Sequence, residues 1–315
     1  MIRVVVQILV SVALLALMLM QVDVGLVLEE MAGLPPAVPL TVIPLLGSVL
    51  ILSQGIRWRA VLAALGIAAP AGPVLRMVSL AYFANQILPS AGGDLLRVWL
   101  GRRLRADLRT LIASVLLDRV AGLVTIVGTC LLTLPLFYAA TDGGALFWPG
   151  LLTILAGLAG VGVLFGSRHL PSFLVRFRVI REVEHLAVAA WTVLRDTRRT
   201  LAILGLSLVS HTALFTAIFV LVSVTGAELR LIDAVAVVPV VLLIAMLPIT
   251  MGGWGLREGA MVIGLGIVGV PAEAALAASI LLGGMMAAVG VIGGAVWVVA
   301  GRADDSAPQE DRGAG

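Results

Sequence analysis

The sequence predicts an all-α polytopic membrane protein with about six full transmembrane helices plus two re-entrant half-helix hairpins in an inverted repeat. Three observations predict it. Hydrophobic residues make up 61% of the 315 and charged residues only 12%, with a mean hydropathy of +1.14. Soluble domains run about 45–50% apolar and about 25% charged, so a soluble domain of ordinary size is excluded. Six apolar runs approach the roughly 20 residues that a bilayer crossing needs. Finally, one short motif occurs twice, as LPSAGGDLLR (Leu88–Arg97) and as LPITMGGWGLRE (Leu247–Glu258).

The first apolar run covers residues 4–22 after Arg3. Gln21, Val22 and Asp23 follow it without a small-x-small cleavage pattern, so a retained helix is expected rather than a signal peptide. Residues 23–39 hold Asp23, Glu29 and Glu30 and no arginine. A second span over 40–56 is expected to end at the RWR triplet, Arg57–Arg59. Further spans are expected over 110–138, 149–166, 201–224 and 275–300.

Arginine placement orients these spans. Arg97, Arg102, Arg103, Arg105 and Arg109 cluster in one loop, and residues 168–199 carry seven more. Residues 139–148 carry none, and 225–233 only Arg230. The positive-inside rule places the arginine-rich loops and both termini in the cytoplasm. The basic segment 167–200 reads as an amphipathic surface helix or helix pair on the inner leaflet. Residues 1–302 form a single transmembrane domain, and 303–315 a disordered tail. The lone cysteine, Cys130, lies in an apolar run and permits neither an intramolecular disulfide nor a cysteine metal site.

Two regions, 74–101 and 235–270, do not fit the spanning pattern. Residues 74–88 make about 22 Å of helix at roughly 1.5 Å per residue, against a hydrocarbon core of about 30 Å. Residues 235–247 and 256–270 are equally short. Each region reads as a hairpin that enters, breaks at Pro89 or Pro248 and the following Gly-Gly pair, and returns. The first lies between cytoplasmic arginines and the second between arginine-poor loops, so the two enter from opposite sides. One full span follows each. Such an arrangement is an inverted-topology repeat with discontinuous helices meeting near the midplane.

Broken backbone is tolerated at membrane depth only where protein buries it or where it lines a watery cavity. The pairs Gly92-Gly93 and Gly252-Gly253 allow close backbone approach. Exposed half-helix N-termini favour an anion, and an intramembrane arginine is expected to have a partner or ligand. Arg97 and Arg257, each four residues after its glycine pair, are therefore candidate ligands for a negatively charged group. A salt bridge locking each hairpin tip is the alternative reading. Asp94 and Glu258 are expected to hold these arginines. Asp118 and Arg119 lie inside the 110–138 span about 100° apart on the helix, so each needs its own partner. Candidates are Arg97 or Arg257 for Asp118, and Asp94 or Glu258 for Arg119. His211, near Ser207 and Ser210, reads as a packed polar residue, with a proton relay as the alternative. GLGIVG (Gly264–Gly269) has dinucleotide-loop spacing but no soluble strand before it, and is set aside.

NQILPSAGGDLLR (Asn85–Arg97), LLDRVAGL (Leu116–Leu123) and LPITMGGWGLREGA (Leu247–Ala260) together resemble the flippase-like transmembrane region of the lysylphosphatidylglycerol synthase family. The resemblance covers the chain to about residue 302. In bifunctional members an aminoacyltransferase domain follows; this chain reaches Gly315 without one, so a stand-alone transmembrane region is expected. The resemblance implies a multi-pass protein of the bacterial cytoplasmic (inner) membrane that flips an anionic or aminoacylated phospholipid or a lipid-linked intermediate. The expected substrate is a membrane lipid with an anionic headgroup, and a separate lipid-modifying enzyme is a candidate partner. No cofactor, metal or nucleic acid is expected; an oligomer is compatible. One alternative is an integral-membrane enzyme acting on a lipid-linked sugar or phosphate, although no catalytic constellation occurs. Another is a non-transporting subunit of a lipid-synthesis complex.

Overall fold

The computed structural model describes residues 2–20, 22–87, 92–167, 178–247, 250 and 253–305. Among the described residues every regular element is helical: twelve α-helices and one 3-10 turn. Five helices are long and apolar enough to cross a membrane: α3 (Ala37–Ala64), α6 (Leu108–Ala140), α7 (Phe147–Gly166), α9 (Thr197–Val224) and, over Ala272–Ala295, α12 (Ala272–Asp305). Helix α1 (Ile2–Leu19) covers the first apolar run, and α2 (Val24–Ala32) is capped by Asp23, whose carboxylate accepts the Gly25 N–H at 2.8 Å. Helix α8 (Arg178–Leu194) lies within the basic segment; its Ala190 and Val193 pack beside Val61, Leu117 and Ile203.

The two expected hairpin regions are pairs of short helices. The first pair is α4 (Ala71–Ile87) and α5 (Gly92–Gly101); the second is α10 (Leu231–Ala245) and α11 (Leu256–Gly266). Their 17, 10, 15 and 11 residues give lengths of about 15–26 Å, all below the ~30 Å of a hydrocarbon core. Pro89, Pro248 and Gly252 lie outside the described residues.

Packing between the halves is reciprocal. Helix α4 packs on α12, and α10 on α6; α5 packs on α6, and α11 on α12; α3 and α9 pack on each other. Exchanging α3–α6 for α9–α12 therefore maps the contacts onto themselves. Each hairpin's first limb leans on the long helix that follows the other hairpin. The apolar core runs through α9–α12 and α3, with fully buried Leu221, Met261, Leu265 and Ala275. A second cluster around Trp58, Leu62, Val78 and Leu111 seats the α4–α5 pair.

Local chemistry ends most elements close to where expected; α12 runs on to Asp305, past the expected end at 300 and into the segment expected as a tail, and α3 is the larger exception. Asp107 caps α6 by accepting from the Thr110 hydroxyl and from its N–H at 2.9 Å; these bonds hold its carboxyl below the usual range. In α3 the span expected over 40–56 continues through the RWR triplet to Ala64. Arg57 and Trp58 are buried and find partners inside the protein, so the helix has no need to reach water there.

Candidate functional site

Helix α3 is about 42 Å long, and Arg57 lies about 10 Å before its C-terminal end. Its side chain meets Asp118, ten residues into α6. The Arg57 Nε–H donates to Asp118 Oδ1 at 2.7 Å, and Nη1 donates to Ser207 Oγ of α9 at 3.0 Å. Arg97 Nη1 approaches the other oxygen, Asp118 Oδ2, at 2.9 Å, and Gln54 Nε2 donates to the same oxygen at 3.3 Å. Asp118 is thus a fully buried carboxylate between two guanidinium groups. The Arg97 contact is a charge contact rather than an aligned hydrogen bond, and its N–H groups find no aligned acceptor among the described residues. Its guanidinium instead lies over the Trp58 ring, 4.3 Å from the centroid. Trp58 is held in turn by its Nε1–H donating to Ser114 Oγ at 3.1 Å.

Arg119, one residue on, turns away from this cluster. Its Nε–H donates to Asp94 Oδ2 at 2.9 Å; the Arg119 side chain stays 44% exposed and that of Asp94 20%. Asp94 also lies 3.7 Å from Arg97. Helix α5 starts tight against α4: the Gly93 N–H donates to Asn85 Oδ1 at 3.0 Å, and a Cβ at Gly93 would collide with that amide and with the Ala81 carbonyl. Gly92 is likewise buried at the start of α5.

At the second hairpin, Gly253 and Gly255 adopt φ of 82° and 86°, the left-handed region that glycine enters at little cost. Glu258, fully buried, caps α11 by accepting the Gly255 N–H at 2.5 Å. The same carboxylate accepts from Arg257 Nη2 at 2.6 Å and Nε at 3.1 Å, and from the Ser279 hydroxyl at 3.2 Å. Arg257 lies 4.8 Å from the Trp254 ring centroid. Gly283 of α12 makes the room, since a Cβ there would strike the Arg257 guanidinium and come within 2.8 Å of Trp254.

Between these clusters lies a cavity of about 270 Å³. Helix α3 contributes Gln54 and Arg57, α6 Asp118 and Arg119, α9 Ser210 and His211, and α11 Arg257; Gly253 and Tyr82 complete the polar border. The remainder is apolar, including Leu214, Met246, Met261 and Met286. His211 Nδ1 is buried and has no hydrogen-bond partner among the described residues. The second motif borders this space through Gly253 and Arg257, while the first reaches it only through the partners of Asp94 and Arg97, namely Arg119 and Asp118.

The family model described as the lysylphosphatidylglycerol synthase TM region matches residues 4–294, nearly the whole chain. This chain belongs to that family. A comparison with curated proteins finds no match. As a member of the lysylphosphatidylglycerol synthase transmembrane-region family with five membrane-length helices, the chain is a multi-pass membrane protein linked to lipid metabolism.

Of the site residues expected from sequence, Arg119, Arg257, Asp118 and Gly253 line the cavity of this family member. Asp94 and Glu258 stand one bond behind, holding Arg119 and Arg257. Arg97 does not line it: only 1% exposed, it is packed between Trp58 and Asp118. Arg57 takes the place that sequence reasoning gave to Arg97. The signal was present in Ser53, Gln54 and Arg57, which share one face of an otherwise apolar helix. Among the described residues no three His, Cys, Asp or Glu side chains converge as metal ligands.

Proposed function

We propose that this protein translocates an anionic or aminoacylated phospholipid, or a lipid-linked intermediate, across the bacterial cytoplasmic membrane. The headgroup would occupy the cavity between the two hairpins while the tails stay in bilayer. The observation that carries the reading is that three arginines from three helices, Arg57, Arg119 and Arg257, border one cavity. Each arginine at membrane depth costs about 2.5–3.5 kcal/mol on insertion scales. Arg57 is matched by Asp118, but Arg119 has one partner and a guanidinium with five N–H donors. A phosphate supplies what these groups lack, several acceptor oxygens in bidentate geometry.

The reciprocal packing of α3–α6 and α9–α12 supports an inverted repeat with two re-entrant hairpins; six spans and cytoplasmic termini rest on the apolar runs and the arginine placement alone. In such repeats, alternating access comes from rocking one half against the other about a midplane site. No GxxxxGK motif followed by Ser or Thr occurs in the sequence. The driving force is then the lipid gradient, an ion or the membrane potential, which contributes about 2.3 kcal/mol per charge per 100 mV. The test is lipid movement in proteoliposomes. The variant Arg119→Ala plus Arg257→Ala is expected to abolish it, and undiminished movement in that variant would remove the cavity from the pathway.

A further inference from the structure

We infer that the cavity selects a compact phosphodiester headgroup with one negative charge and no cation, and disfavours an aminoacylated one. This rests on the reading of the cavity as a headgroup site and specifies which headgroup it takes. Charge balance is the first ground. The charged side chains that line the cavity, with their direct ion-pair partners, are four arginines (57, 97, 119 and 257) and three carboxylates (94, 118 and 258). Residues 88–91 and 248–252, which join the hairpin limbs, contain no ionisable side chain. One positive charge is therefore in excess. A monoanion closes the balance, a zwitterion leaves it open, and a headgroup of net positive charge adds to it. Like-charge juxtaposition is the ordinary means by which a site rejects a wrong partner.

The second ground is that every carboxylate is already engaged. Asp118 faces Arg57, Arg97 and Gln54; Glu258 takes Arg257, Ser279 and the Gly255 N–H; Asp94 takes Arg119. An incoming ammonium would have to displace a guanidinium from one of them. The half-exposed Arg119, by contrast, has donors to spare. The third ground is size. A cavity of about 270 Å³ is just smaller than the usual ligand site of about 300–1,000 Å³. Its polar border has room for a phosphate and a small alcohol.

The test is competitive lipid retention, read by native mass spectrometry of the full chain in detergent. Phosphatidylglycerol, lysyl-phosphatidylglycerol and phosphatidylcholine would be supplied in equal amounts. Phosphatidylglycerol is expected to be retained about tenfold over either rival, the ratio produced by about one charged hydrogen bond. Arg119→Gln, which removes the excess charge from a half-exposed position, is expected to erase that preference while the melting temperature stays near wild type. Equal or greater retention of the lysyl form would overturn the inference and leave the headgroup-site reading standing. So would an unchanged preference in Arg119→Gln. Failure of the wild type to retain any of the three lipids would overturn both.

Discussion

Asp118→Asn should destabilise the protein more than any other single isosteric change in the site. The carboxylate is fully buried, 2.7 Å from Arg57 Nε and 2.9 Å from Arg97 Nη1, and these arginines are themselves 7% and 1% exposed. Asparagine preserves the shape but leaves two buried guanidinium groups without a counter-charge. Removing one partner of a buried ion pair costs about 3–5 kcal/mol. The folded-to-unfolded ratio should then fall by more than a hundredfold, because about 1.4 kcal/mol is tenfold. The assay is denaturant unfolding of the purified protein in detergent, followed by tryptophan fluorescence. A companion variant sharpens it. Adding Arg97→Gln to Asp118→Asn removes one stranded charge, so the double variant should be more stable than the sum of the singles by about 1–3 kcal/mol. An Asp118→Asn cost within about 0.5 kcal/mol, the ordinary range for surface changes, would refute the reasoning. Strict additivity in the double variant would refute it equally.

Two further predictions concern the supports of the arginines. Gly283→Ala should impair lipid movement while leaving the melting temperature close to wild type, because the obstacles to its methyl group are the far end of Arg257 and the Trp254 ring rather than backbone. A loss of stability that matches the loss of transport would show that Gly283 serves packing alone. Trp58→Phe should cost about 1–2 kcal/mol in the unfolding assay. It keeps a ring beneath Arg97 but loses the indole donor to Ser114 and part of the cation–π attraction. A cost as large as that of Asp118→Asn would mean that the arginine depends on the ring more than on the carboxylate.

The broad plan was legible because its signals are local. Runs of apolar residues announce membrane-length helices, and the doubled Leu-Pro, Gly-Gly and Leu-Arg spacing announces two matching breaks. Asp118 and Arg119, adjacent and therefore about 100° apart, had to find separate partners; the structure gives Asp118 to Arg57 and Arg97, and Arg119 to Asp94. What stayed hidden depends on which face a helix turns to its neighbours. The RWR triplet looks like the watery end of a span; the shared face of Ser53, Gln54 and Arg57 hints otherwise, and the carboxylate from α6 and Ser207 from α9 show that Arg57 stays inside. Arg97 and Arg257 look equivalent in sequence. Yet α5 packs its arginine against Trp58, whereas α11 presents its arginine to the cavity. Tertiary packing breaks the symmetry that the motif suggests.

The most direct measurement of the central claim is headgroup passage itself. Proteoliposomes holding the full chain and a headgroup-labelled phosphatidylglycerol would be treated with a membrane-impermeant quencher, and the protected fraction followed over time. The wild type should expose label from the inner leaflet. Arg119→Ala plus Arg257→Ala should behave like protein-free vesicles, and Leu132→Ala, on a side chain 82% exposed on the outer face of α6, like wild type. Transport that survives the double arginine variant, or that fails equally in the Leu132 control, would contradict the account.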